Sequence, residues 1–135
     1  MIKVSLILKI VEGLHLTFGC IMLIILMFDV ETLVAPAVEP ATPKLLMTIR
    51  GFGGELMAFQ IGMGLFLIIC SHIKDLSAAK ILLLAEVELM ACALCVSAFN
   101  TLNSGTIIDA GPPQVFWLIL IINPLLCVYG YFKGK

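Results

Sequence analysis

Four stretches of the chain, residues 5–28, 46–70, 79–99 and 114–132, are apolar for about the 20 residues that a helix needs to cross a hydrocarbon layer about 30 Å thick. In such a layer there is no water to satisfy a backbone N–H or C=O, so a long apolar stretch must close its hydrogen bonds on itself as a helix. The composition agrees. Hydrophobic residues make up 61 % of the chain and charged residues 13 %, against about a quarter charged in soluble globular proteins. These features predict one all-α membrane domain over residues 1–135, a four-transmembrane-helix antiparallel bundle whose solvent is the lipid bilayer.

The connectors follow. Residues 29–45 contain Pro36, Pro40 and Pro43, which suit a surface loop and cannot continue either flanking helix. Residues 71–78 form a short polar turn. Residues 100–113 hold Asn103-Ser104-Gly105 and Gly111-Pro112-Pro113 and are expected to be loop. The first stretch is too long for a signal-peptide core of about 7–15 residues, and Glu12 and His15 interrupt it, so it is expected to stay in the mature chain.

Four crossings put both termini and the 71–78 turn on one side, with Lys3, Lys9, Lys74, Lys80, Lys133 and Lys135. The other side has Lys44 and Arg50 against Asp29, Glu31, Glu39 and Asp109. The positive-inside rule then places the termini in the cytoplasm, or in the matrix or stroma of an organelle, so a bacterial or an organellar inner membrane fits equally. Trp117, Tyr129 and Tyr131 fall where the fourth helix should meet the two interfaces. The eight Lys and Arg form no basic run, which argues against a nucleic-acid partner.

All five cysteines (Cys20, Cys70, Cys92, Cys95, Cys127) lie in apolar stretches and are read as reduced packing residues. Cys92-x-x-Cys95 has the spacing of a redox pair but lacks relay cysteines in a loop, and no metal site is expected.

Charged and polar groups inside the membrane are costly, about 2.5–3.5 kcal/mol for a charge at the centre, so they mark where function would show. Counting from the midpoint of each stretch, His15, Gln60, Glu88 and Asn123 share a midplane layer, one from each helix. Glu12 and Glu86 are placed a turn nearer the termini and Glu55 a turn farther away. Such a layer could bind a proton, a quinone-like head group or a lipid carbonyl. It could equally be a hydrogen-bonded lock on helix register, with its carboxylates kept neutral by the cost of burying charge. Glu86 and Glu88 are about 200° apart around a helix, so one of them must face outward, and an outward carboxylate above small residues predicts a protein neighbour on the third helix. On the second helix Gly54, Ala58 and Gly62 form a small-xxx-small packing stripe. Arg50 is expected to pair with Asp109 and pin the third connector. Pro124, next to Asn123, should kink the fourth helix.

Ile49-Arg50-Gly51-Phe52-Gly53-Gly54-Glu55, running into Gln60-Ile61-Gly62-Met63-Gly64-Leu65-Phe66-Leu67, resembles the second helix of DoxX-like small membrane proteins. Asp109-Ala110-Gly111-Pro112-Pro113 is similar to the Asp-Gly-Pro turn those proteins carry before the last helix. The Arg they often carry late in the third helix is missing, with Asn100 and Asn103 in that neighbourhood. The resemblance implies a four-helix membrane bundle and a role as a subunit or assembly helper of a larger complex. It implies no catalytic residues.

The expected function is therefore that of a non-enzymatic subunit, or an assembly or stabilising factor, in an energy-transducing membrane. Its partners would be other membrane subunits or further copies of itself, met through the third helix, and it would need no cofactor. The alternative is a membrane enzyme that binds lipid or quinone and uses the His, Glu and Asn of the midplane layer. A transporter is disfavoured by the lack of inverted halves.

Overall fold

A computed structural model of the chain describes residues 3–31, 42–104 and 114–135, and every regular element in it is helical. The helices are α1 (Val4–Phe28), α2 (Pro43–Cys70), α3 (Leu76–Ser104) and α4 (Gln114–Lys133). Three segments, Val4–Phe28, Pro43–Cys70 and Leu76–Phe99, are long and apolar enough to cross a membrane. The described residues are thus helical throughout their regular elements, and three helices are apolar enough for an integral membrane protein. The Val4 N–H donates to the Lys135 carbonyl oxygen at 3.0 Å, so Lys3 and Lys135 lie together at what we call the terminal end.

Capping explains where the helices depart from the expected boundaries. Pro43 belongs to α2, at its N-terminal turn, where a missing N–H costs nothing, and the Thr42 hydroxyl accepts from Leu45 N–H at 3.3 Å. Asp75 caps α3 by accepting from Ser77 N–H at 2.8 Å, so that helix starts at Leu76, three residues before position 79. α3 also continues to Ser104, which makes residues 100–104 helical although Asn100 and Asn103 suggested loop.

Buried positions recur at three- and four-residue steps on every helix: Ile7, Leu8, Val11, His15, Phe18, Met22 and Leu26 on α1; Met57, Gln60, Gly64 and Leu67 on α2; Ala79, Leu83, Glu86 and Met90 on α3; Leu120, Asn123 and Cys127 on α4. This is the seam of left-handed bundle packing. α1 lies along α2, α3 lies along α4, and α1 joins the pairs through α4 and, more lightly, α3, whereas α2 makes no comparable contact with α3 or α4 among the described residues.

The glycines that permit close approach are not those of the expected stripe. A Cβ on Gly19 would meet Ile61 Cγ1 at 2.8 Å, and one on Gly64 would meet Leu16 Cγ at 2.7 Å and the Glu12 carbonyl oxygen at 3.2 Å. A Cβ on Gly54 or Gly62 would meet nothing within 4 Å, and Ala58 is exposed. The stripe is correct in spacing but sits beside the seam, about 100° around α2 from Gly53 and Met57. Gly64→Ile is expected to cost about 1–3 kcal/mol through overpacking, while Gly62→Ala is neutral or stabilising. Apparent thermal midpoints of the two variants in detergent check this.

A buried histidine bridge between the helix pairs

The core is divided by a polar layer. Toward the terminal end lies a cluster containing Ile7, Leu8, Val11, Leu67, Leu83 and Cys127; toward the far end lies another containing Phe18, Met22, Leu26, Met57 and Ile119. Between them sit His15, Gln60, Glu86 and Asn123, all buried, with His15 and Asn123 fully so. His15 is eleven residues from Val4, Gln60 ten from Cys70, Glu86 ten from Leu76 and Asn123 ten from Lys133; at about 1.5 Å per residue all four lie about 15–16.5 Å from the terminal end.

The imidazole of His15 is held at both ring nitrogens. Gln60 Nε2 donates to Nδ1 at 2.6 Å, and Nε2 lies 2.5 Å from Glu86 Oε1. With Nδ1 accepting, the ring proton sits on Nε2 and is donated to the Glu86 carboxylate. If the Gln60 amide turned over, its oxygen would accept from Nδ1–H, and Nε2 could then accept from a protonated Glu86 or share the proton in an ion pair. In either arrangement both nitrogens are engaged, so a ligand could reach one only by displacing Gln60 or Glu86. Among the described residues no group of three or more His, Cys, Asp or Glu is placed to hold a metal ion.

Hydrogen-bonding capacity is left over around this bridge. Glu86 Oε2, Glu12 Oε2 and both polar atoms of the Asn123 amide are buried without a partner. An unpartnered buried polar group costs about 1–3 kcal/mol, so Asn123 takes stability from the bundle where its α1, α2 and α3 counterparts in the layer supply cross-links. Next to it, Pro124 has no N–H to offer the Leu120 carbonyl one turn earlier.

Of the residues expected in the layer, His15, Gln60 and Asn123 are there. Glu88 is not: it is exposed on the opposite side of α3, and Glu86 takes its place. The correction has a local cause, because the Asp75 cap adds nearly a turn to the start of α3 and brings Glu86 to the depth of Gln60. Glu12 is half-buried one turn from His15 on α1, and Glu55 is exposed on α2. Arg50 is exposed, and Asp109, its expected partner, lies outside the described residues. All five cysteines are free thiols; Cys70 and Cys127 are buried, whereas Cys92 and Cys95 are exposed beside Glu88's face of α3.

Compared with protein-family models, with curated proteins and with solved structures, the chain matches none.

Because one ring serves both bonds, the effects of its partners should not add. His15→Ala and Glu86→Ala are each expected to cost about 2–4 kcal/mol, and the double variant little more than either alone. Thermal or denaturant unfolding in detergent measures the cycle. Asn123→Leu, by contrast, is expected to hold or raise the midpoint, since it removes two unpartnered polar atoms.

Proposed function

We propose that the chain is a non-enzymatic integral membrane subunit that stabilises or helps assemble a larger membrane complex, docking through the outer face of α3. In this reading α4 is a fourth crossing, and the terminal end, with Lys3, Lys74, Lys80, Lys133 and Lys135, faces the cytoplasm, matrix or stroma. The observation that carries the proposal is Glu88. It is exposed, twelve residues into α3 and hence about 18 Å along a membrane-length helix, with no hydrogen bond or ion pair to any described residue. A carboxylate at that depth against lipid is unfavourable by about 2.5–3.5 kcal/mol, and a polar partner from another chain would remove the cost.

The surroundings fit a protein neighbour. Cys92 and Cys95 continue the face of Glu88 with small side chains that let another helix approach. α3 and α2 are the least buried of the membrane-length helices: 17 % and 22 % of their apolar windows are buried, against 33 % for α1. On α2 the open Gly54, Ala58 and Gly62 stripe adds a second surface of the same kind. The chemistry of the bridge points the same way, since a ring engaged at both nitrogens is built to hold helices. The resemblance to DoxX-like proteins is compatible with this role.

A second reading, binding of a lipid or quinone at the layer, is favoured by one observation, the unpartnered Glu86 Oε2 and Asn123 amide. One experiment separates the two. After extraction in mild detergent, native electrophoresis and mass spectrometry should find the wild-type chain in a larger assembly, and Glu88→Leu should release it while leaving the thermal midpoint of the purified chain within about 0.5 kcal/mol of wild type. A wild-type monomer that carries a bound quinone or lipid, lost on Asn123→Leu, would overturn the subunit reading in favour of the second.

A further inference from the structure

The terminal end holds a cavity of about 330 Å³ between the start of α1, the turn after α2 and the start of α3. Its lining includes Lys3, His72, Lys74 and Lys135, and no acidic residue. The nearby Asp75 is turned away, with Oδ1 accepting from Ser77 N–H at 2.8 Å and Ala78 N–H at 3.5 Å. Three lysine side chains thus share the cavity wall with no acidic side chain in it.

α1 and α3 begin at the cavity, at Val4 and Leu76, and α2 and α4 end beside it, so the helix dipoles offset one another and the positive charge is that of the lysine side chains. The last carbonyls of α2 are occupied: Ser71 Oγ donates to the Ile68 oxygen at 2.8 Å, His72 Nδ1 reaches the same oxygen at 2.9 Å, and Ser71 N–H donates to the Leu67 oxygen at 2.8 Å. That use of Nδ1 leaves His72 Nε2 as its only ring nitrogen for an incoming group. The Lys135 carbonyl oxygen is likewise taken by Val4 N–H.

The floor is apolar. Val4 and Ala79 are buried beneath the basic rim, and the exposed Ile73 and Leu76 lead out to the sides of the helices. A cavity that is cationic at the rim, apolar at the floor and set at the ends of membrane-length helices matches an amphiphile whose charge lies at the headgroup level.

We propose that this cavity binds the phosphate of an anionic phospholipid headgroup, with Lys3, Lys74 and Lys135 around the phosphate and the acyl chains following Ile73 and Leu76 onto the helix surface. The size, the apolar floor and the depth favour a lipid over free phosphate as the source of that group. The proposal does not depend on a partner at α3.

Native mass spectrometry of the purified chain, offered phosphatidylglycerol and phosphatidylcholine in equal amounts, tests it. Each lysine near a membrane surface contributes roughly fivefold to anionic-lipid binding, so phosphatidylglycerol should be retained on the order of tenfold or more over phosphatidylcholine. The triple variant Lys3→Gln, Lys74→Gln, Lys135→Gln should lose that preference. The corresponding Arg variants should keep it, as should Lys133→Gln, which removes a charge at the same end outside the cavity. Equal retention of the two lipids by the wild type, or an unchanged preference in a folded triple Gln variant, would overturn the proposal. Displacement of the lipid by excess inorganic phosphate would also overturn it, by making this a site for soluble anions.

Discussion

Everything in this bundle hangs on the imidazole of His15. Among the described residues α2 hardly meets α3 or α4, so the two helix pairs are joined chiefly through α1. At the centre of α1, one ring is bonded to Gln60 of α2 on one side and to Glu86 of α3 on the other. Apolar contacts can slide by a turn at little cost, particularly where the outside of the bundle is as apolar as the inside. A ring with two directional bonds cannot. Moving either partner helix by a turn would leave a buried donor or acceptor facing hydrocarbon, and that penalty fixes the register of three helices at one height.

The layer also shows where polar atoms help and where they do not. The bonds on His15 lie between two apolar clusters that shut out water, which strengthens them. Asn123 stands in the same layer with neither amide atom bonded. Buried position alone therefore does not make a residue part of the lock. The lock consists of the three side chains that satisfy one another, and Asn123 is better understood as spare capacity beside it.

How much of this was legible in the sequence follows from which forces leave a linear trace. The helices were legible because apolar length in a membrane admits little else, and their starts were written in Thr42-Pro43 and Asp75, although Pro43 was assigned to the wrong side of its boundary. His15, Gln60 and Asn123 could be set at one depth by counting. Rotation about each axis could not be read. A soluble helix reveals its inner face by contrast with a polar outer one, whereas α3 is apolar on nearly every side, so depth alone decided, and counting from residue 79 put Glu88 in the layer and Glu86 a turn nearer the termini; the three added residues at the start of α3 move that count to Glu86. The same blindness misled the glycines: Gly54, Ala58 and Gly62 repeat every four residues, but the close contacts with α1 are made by Gly64 against Leu16 and, from the α1 side, by Gly19 against Ile61.

The two bonds on His15 also differ in when they can form. Gln60 belongs to the hairpin that the chain completes first, Glu86 to the one that follows. If the hairpins enter the membrane in that order, the first arrives with Nδ1 already satisfied and Nε2 bare, a half-finished polar contact in a medium that offers it no substitute. The second hairpin removes that defect on arrival. An isolated first half would thus carry its own mark of incompleteness, a bare imidazole nitrogen about 16 Å from the end of its helix.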